Sequence, residues 1–424
     1  MIAEKAFERL LGLNECWEVV GAEYEEEEGG RFLIIVRETA KLWPTLRCPE
    51  AKCASDGITC YDHAPARTWR HLDAFGKKTE VLCEPPRGQC RKCQTVFRVP
   101  VPWEGEGKHF TKDFEAFTLT LMREMPAAKA AEIVRENDTR LWRMLFAHVG
   151  KAYAQLDLSE LVHLGVDELS CRKGHDYLTV FADLVKRRVV YATEGKDHTT
   201  FARFAEEILK HNGHPKAITQ VAIDMSLAYT KGVKENLGNA AIVYDKFHVV
   251  ALANAAVDKV RRQEAREGDA QIKEQLKKSM WIWRKNPENL TAKEEAKLED
   301  MDLKHLATGQ AYQIRLELQS IYHSRTDTKA RERWNDFIKW VRRKVDRFGI
   351  LLEPMRTLAD TIETNLEGIL AHWQEGLTTS FMEGLNSVFS AVKRKARGYR
   401  SAVYMTAMLY FVAGKLAIPS ILTH

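Results

Sequence analysis

No stretch of this 424-residue chain stays apolar and uncharged for the roughly 18 residues that a membrane-crossing helix needs. The most apolar segment, AVYMTAMLYFVAGKLAIPSIL, is broken by Lys415 and Pro419 and reads as a buried helix. The start, MIAEKAFERLLGL, lacks the basic end, apolar block and small-residue cleavage site of a secretory leader. Charge of one sign is barely in excess: 64 Lys and Arg against 59 Asp and Glu leave +5. That balance permits nucleic-acid binding without demanding it, so the local placement of cations matters more. No self-association motif is visible, and no RNA-binding motif with exposed aromatics is present. Cysteine is scarce outside one segment, with six of the eight between Cys48 and Cys93. The expectation is a cytoplasmic protein without membrane contact, in a reducing compartment where clustered cysteines hold metal more often than they form disulfides. The length allows roughly two to four domains.

What is present divides the chain. Residues 1–107 read as a β-rich module. CWEVVGAEYEEEEGGRFLIIVRE predicts a hairpin with Gly29-Gly30 at or near the turn. Cys90 and Cys93 have the C-x-x-C spacing that lets two thiolates share a tetrahedral ion, and Cys48 and Cys53 supply a second arm. This predicts a closed structural zinc site. The C-x4-C spacing of the second arm is unusual, so Cys60, His63 and Cys83 stand as substitutes, and reduced thiols in a small core are the competing explanation.

Residues 108–157 predict three helices. TKDFEAFTLTLMREM sets Phe114, Phe117, Leu121 and Met125 on one stripe, and Pro126 opens the next helix. The third begins at a cap on Asp138 or Thr139 and buries Leu141, Leu145 and Val149, leaving Arg140, Arg143 and Lys151 on its other face. A helix-turn-helix would carry these three to DNA; a plain three-helix bundle would leave them solvated.

Residues 158–262 alternate strands and helices. HLGVDELS, DYLTVFADL and RRVVYATEG predict three strands, followed by helix, strand AITQVAID, helix, and strand AAIVYD. That order is the one of an RNase H-like α/β fold, and it brings the ends of the first and fourth strands together with Asp167 and Asp224. Residues 263–366 predict a charged, all-helical insertion, and residues 367–424 the C-terminal helical part of the same catalytic domain. The preceding helix, VVALANAAVDKVRRQ, should bury Val250, Ala253, Val257 and Val260. In FMEGLNSVFSAVKRKARGYR, Glu383, Asn386, Ser390, Lys393 and Arg397 form one polar helical stripe opposite Phe381, Leu385, Val388 and Val392. Asp167, Asp224 and Glu383 are therefore the candidate carboxylates of a two-metal phosphoryl-transfer site, with Mg²⁺ (or Mn²⁺) as the hard cation. Asp167 would bridge two ions, and Lys393, Arg394, Lys395, Arg397 and Arg400 would hold phosphates as charges.

These blocks together resemble one family over nearly the whole chain. RCPEAKC, ARTWRHLD and CRKCQTVF are similar to the amino-terminal zinc segment of bacterial insertion-sequence DDE transposases of the ISL-three family. GVDELSCRKGHDYLTVFADL, VAIDMSLAY, YDKFHVV and FMEGLNSVFSAVKRKARGYR are similar to its catalytic blocks. The resemblance implies a Mg²⁺-dependent DNA transposase with Asp167, Asp224 and Glu383 as catalytic triad. It also implies DNA-binding zinc and helix-turn-helix modules that recognise terminal inverted repeats, joining of 3′-hydroxyl ends to target DNA, and a homodimer on DNA. No small-molecule substrate is implied. Asp245 and His248 match a D-x-x-H signature, with His248 either beside the scissile phosphate or held structurally by Asp245 or a backbone carbonyl. The first zinc arm departs from the tighter family spacing. Two other functions remain open: an inactive transposase-derived regulator, which would not nick DNA in Mg²⁺, and a structure-selective nuclease, which would cut without joining.

Overall fold

The computed structural model describes residues 2–421 except 27–29, 171–176, 302–304, 374–379, 396–398 and 400; for 2, 3, 380–383, 385, 386 and 395 it describes the backbone alone. The chain forms two compact units, Met1–Gln155 with Leu416–His424, and Leu156–Lys415.

In the first unit, α1 (Ile2–Leu10) packs on the hairpin of β1 (Trp17–Glu25) and β2 (Arg31–Glu38). Gly30 takes φ 76° at the turn, a conformation glycine adopts without strain; Gly29 lies outside the described residues. β3 (Ile58–His63), β4 (Arg67–Ala74), β5 (Lys77–Cys83), β6 (Pro86–Cys90) and β7 (Val96–Arg98) complete two sheets, ordered β1-β2-β5-β4 and β3-β6-β7. Three tryptophans centre the larger sheet's core. Trp103 meets Trp17 and Trp69 edge-on at centroid separations of 5.1 and 5.8 Å.

The three expected helices follow as α2 (Lys112–Glu124), α3 (Ala127–Val134) and α4 (Asp138–Ala154). Pro126 is the cap of α3, and Arg135 ends that helix in the left-handed conformation at φ 55°. Two details differ from the sequence reading. The cap of α4 is Asn137, whose side chain accepts from the Thr139 amide at 2.8 Å. The buried face of α2 is Phe114, Glu115, Thr118, Leu119 and Met122, while Phe117, Leu121 and Met125 are only half-buried.

Glu115 explains the rotation of that face. Only 1% exposed, its carboxylate lies 2.7 Å from His148 Nε2 on α4 and accepts the amides of Glu106 at 2.9 Å and Gly107 at 2.7 Å. A carboxylate this buried is held only by such donors. The loop approaches so closely that a Cβ at Gly105 would overlap the Glu115 carboxylate. Glu115→Ala is expected to cost about 3–5 kcal/mol, because it strands every one of those donors. Chemical denaturation of the full chain checks this, and an unchanged first transition would contradict it.

In the second unit, β8 (His163–Ser170), β9 (Tyr177–Asp183), β10 (Arg188–Glu194), α5 (Thr199–Leu209), β11 (Gln220–Ile223), α6 (Leu227–Asn236) and β12 (Ala241–Tyr244) appear in the expected order. They build one sheet, β10-β9-β8-β11-β12. β9 is antiparallel to both neighbours, whereas β8–β11 and β11–β12 are parallel. β9 is buried at every position from Leu178 to Asp183, so both faces of the sheet are covered there. On one face Phe181 stacks on Phe204 at 4.4 Å and meets Phe201 edge-on at 5.2 Å.

The chain then runs helical through α7 (Lys246–Glu267), α8 (Ala270–Leu276), α9 (Ala292–Glu299), α10 (Ala307–Ile321), α11 (Asp327–Phe348), α12 (Glu353–Thr364) and α13 (Leu366–Leu370). α7 buries Ala253, Val257 and Val260 as expected, together with Val249 and Ala256; Val250 is half-buried. Its buried Glu264 caps α10, accepting the amides of Ala307 and Thr308 at 2.7 Å each. α14 (Ser380–Lys395) packs against β8, and α15 (Ala402–Ala413) lies on β10, where the Tyr410 hydroxyl accepts the Ala192 amide at 3.0 Å. α15 is the buried apolar helix expected near the C-terminus. Among the described residues no helix is long and apolar enough to cross a membrane.

Candidate active site and cysteine cluster

The parallel register decides where the acidic residues fall. Ala222 on β11 sits opposite Gly165 on β8, and Ile223 sits opposite Tyr244 on β12. Continuing each strand in the same register brings Asp224 level with Asp167 on one side and with Asp245 on the other. Three aspartates thus fall level with one another, Asp224 and Asp245 just past the C-terminal ends of β11 and β12, where an open α/β sheet presents its functional groups, and Asp167 within β8, which runs three residues further beside β9. Each is tied down locally. Asp167 Oδ1 accepts the Glu168 amide at 2.7 Å, Asp224 Oδ1 the Ser226 amide at 3.0 Å, and Asp245 Oδ1 caps α7 through the Phe247 amide at 3.0 Å.

His248, in the first turn of α7, lies near them. Its Nε2 is 4.0 Å from Asp167 Oδ1 and 4.0 Å from Asp245 Oδ2, too far for a hydrogen bond to either. Asp245 Oδ1 holds the helix start. Burial pushes the Asp224 carboxyl above its ordinary value; the Ser226 amide and His248 pull it down, and the like charge of Asp167 pushes it up. Glu168 is raised as well, by burial first and then by the charge of Asp224. These partly buried carboxylates feel one another's charge and are short of positive charge, although no three of the described side chains here bring ligand atoms within 4.8 Å of one another.

The third candidate is positioned by its helix. Glu383 belongs to α14, the helix that packs against β8, the strand of Asp167; its side chain, like that of Asn386, lies outside what is described. On the same helix Lys393 is half-buried and Arg394 exposed, Lys395 is described in backbone only, and Arg397 and Arg400 lie outside the described residues. In the first unit the α4 cations differ in state. Arg140 pairs with Glu136 and lies 4.7 Å over the Phe110 ring, Lys151 pairs with Glu106, and Arg143 is exposed with no ion pair among the described residues.

Cys48, Cys53, Cys90 and Cys93 bring their sulfurs within 4.8 Å of one another, the only such group of three or more potential metal ligands among the described side chains. Cys48 and Cys93 Sγ are 3.5 Å apart, Cys53 and Cys90 Sγ 3.7 Å. A tetrahedral zinc–thiolate centre with Zn–S of about 2.3 Å needs sulfurs about 3.8 Å apart, so the cluster fits zinc. The long arm is accommodated by a turn in which the Cys53 and Ala54 amides both reach the Glu50 carbonyl, at 2.8 and 3.1 Å. Ala54 and Gln94, each just past the second cysteine of its arm, take φ 43° and 63°. The Thr95 hydroxyl, 3.3 Å from Cys93 Sγ, and the Thr95 amide hold the Cys93 thiol down at about 6, whereas burial pushes the Cys48 thiol of the same cluster up to about 12. Cys60 is exposed on β3, Cys83 is buried in the sheet core, and His63 lies 2.7 Å from Glu38 Oε1; all three stand apart from the cluster.

Four cations escaped the sequence reading. Arg47, Lys52, Arg91 and Lys92 are all exposed, carry no ion pair among the described residues, and sit one or two positions from a clustered cysteine. The signal was legible as R-C, K-C and C-R-K-C.

Comparison with known proteins fits this geometry. A family model described as "Transposase", of the DDE ISL3 group, matches residues 164–409. A second, "Helix-turn-helix domain of transposase family ISL3", matches residues 99–149. The chain is 27% identical, over 99% of its own length and 99% of the relative's, to the transposase for insertion sequence element IS1001 of Bordetella parapertussis. It is 26% identical, over 99% and 98%, to the transposase for insertion sequence element IS1557 of Mycobacterium tuberculosis. The first of these models spans more than half of the chain and takes in β8 to α15 almost entire, so the protein belongs to the ISL3 family of bacterial insertion-sequence transposases.

Proposed function

We propose that the second unit is an RNase H-like catalytic domain carrying a helical insertion, in which Asp167, Asp224 and Glu383 together cut the ends of an insertion sequence and join their 3′-hydroxyls to target DNA. The observation that carries this reading is the parallel register of β8 and β11, Ala222 opposite Gly165, which continued two residues brings Asp224 level with Asp167, together with the packing of the Glu383 helix on β8. Hard, partly buried carboxylate oxygens suit Mg²⁺ or Mn²⁺. Asp167, Asp224 and Glu383 would hold it. When bound, such ions activate the attacking oxygen and neutralise charge on the leaving one. His248, without a hydrogen-bond partner on its ring among the described residues, is free to donate to a phosphate oxygen beside Asp167. Lys393, Arg394, Lys395, Arg397 and Arg400 would follow the backbone leading away from the cut, with Asn386 between them and Glu383.

The first unit would recognise the terminal inverted repeats, with zinc on Cys48, Cys53, Cys90 and Cys93 as a structural ion. On α4 Arg143 is the cation ready for DNA; Arg140 and Lys151 must first leave Glu136 and Glu106. Two protomers would bring a pair of ends together. A strand-transfer assay on end-bearing DNA tests the function. Products joined to a second duplex are expected, and hydrolysis without joining would contradict the transposition chemistry.

The cations beside the cysteines would grip phosphates. Replacing Arg91 and Lys92 together by Ala is expected to weaken binding about equally on all sequences and to lower the salt slope of end binding by about 2. A change confined to one sequence would contradict that role.

A further inference from the structure

The phenylalanines packed on the β8–β12 sheet are inside, but Phe247 is not. Phe181, Phe201 and Phe204 are fully buried, whereas Phe247 is 59% exposed. Burying such a side chain stabilises a fold by about 1.5–3 kcal/mol, and this one forgoes it at the rim of the acidic site. Its backbone is held in place. It occupies the first turn of a 22-residue helix, and its amide is clamped by the Asp245 carboxylate at 3.0 Å. Its ring stands edge-on to His248, with centroids 5.8 Å apart and planes at 87°. His248 in turn is 4.0 Å from Asp167 Oδ1. A flat apolar surface is therefore fixed one residue away from the groups that face the carboxylates. Neither the helix cap nor the His248 position needs an aromatic there, since the cap uses only the Phe247 backbone.

We propose that Phe247 is a stacking platform for an unpaired nucleobase adjoining the phosphodiester held at Asp167 and Asp224. This rests on those carboxylates being the catalytic site. Contacts to phosphate alone fix the strand's position but leave its rotation about the backbone free. A base laid on a rigid ring removes that freedom, and a π face accepts any base, which suits a site that must act without reading sequence. Phe247 is thus a positioning residue: it touches a base, not the reacting atoms.

The test uses the full chain and an end-bearing duplex with 2-aminopurine either at the last nucleotide of the element or at the first flanking nucleotide. Binding is followed by base fluorescence in an Asp167→Asn background, and cleavage in the chain with Asp167 intact. Quenching on binding at one of the two positions, lost in Phe247→Ala, is expected, and the position shows which side of the cut supplies the base. Cleavage in Phe247→Ala should fall about 5- to 150-fold, the equivalent of one base stack, with Phe247→Trp restoring it and Phe247→Leu not. Leu matching Phe, or fluorescence indifferent to Phe247→Ala at both positions, would overturn the proposal. If the Asp167→Asn chain still cuts, it is the active-site reading that has failed, and the fluorescence comparison still reports on stacking.

Discussion

Asp167→Asn, Asp224→Asn and Glu383→Gln should each lower strand cleavage by a factor on the order of 10³ or more while leaving end binding within a few-fold of normal. The size follows from the way phosphoryl transfer is catalysed. The protein performs little covalent chemistry; it positions groups and stabilises charge. A carboxylate that becomes an amide keeps its shape and most of its hydrogen bonds but loses the charge that holds a cation. Asp167 and Asp224 keep their amide contacts to Glu168 and Ser226 in such variants, so the strand ends should stay folded. The separation of the two activities is also expected from the chain's division, because the helix-turn-helix match and the transposase match fall in different units. Gel-shift and nicking assays on the same preparations read both. An Asp→Asn variant that nicks normally would remove its residue from the site. One that loses binding as well would show that the carboxylates shape the DNA-binding surface.

The second large effect concerns the cysteines. Cys90→Ser or Cys93→Ser, or a strong chelator, should unfold the small β3-β6-β7 sheet and abolish end binding, with about one equivalent of zinc released per chain. The hydrophobic content of that sheet is slight: Ile58 is buried beside Cys48 and Cys90, with few apolar neighbours packed around them. A structural zinc site contributes roughly 10–16 kcal/mol of apparent binding energy at neutral pH, far more than such a core can replace. The larger β1-β2-β5-β4 sheet should survive, since Trp17, Trp69 and Trp103 pack without the metal. Hydrogen exchange of the strand amides separates the two sheets, and zinc content is measured directly. Full end binding by a zinc-free chain would contradict the assignment, and loss of protection in β1, β2, β4 and β5 on chelation would show that the two sheets unfold as one.

How much of this was legible beforehand depends on the range of the forces involved. The strands of the five-stranded sheet were readable because each is a short apolar run bounded by turn residues, and buried strands need little else. Asp167 and Asp224 were readable because each closes such a run. The buried face of α2 was not, since Glu115 goes inside only because His148, Glu106 and Gly107 supply its donors from elsewhere in the chain. Likewise, Arg140 and Lys151 looked like free cations on a helix face until Glu136 and Glu106 came alongside. Phe247 passed unnoticed for the opposite reason: an aromatic at the start of an amphipathic helix is expected to be buried, and only its 59% exposure sets it apart. The choice among the cysteines was a question of distance in space, which their spacing along the chain left open.

The measurement closest to the central claim is anomalous scattering from Mn²⁺ in crystals of the full chain bound to its end DNA. Density for the ion should lie between the carboxylates of Asp167 and Asp224, with Glu383 completing the coordination and a phosphate oxygen of the scissile strand alongside. Manganese bound elsewhere, or Glu383 turned away from both aspartates in the DNA-bound state, would contradict it.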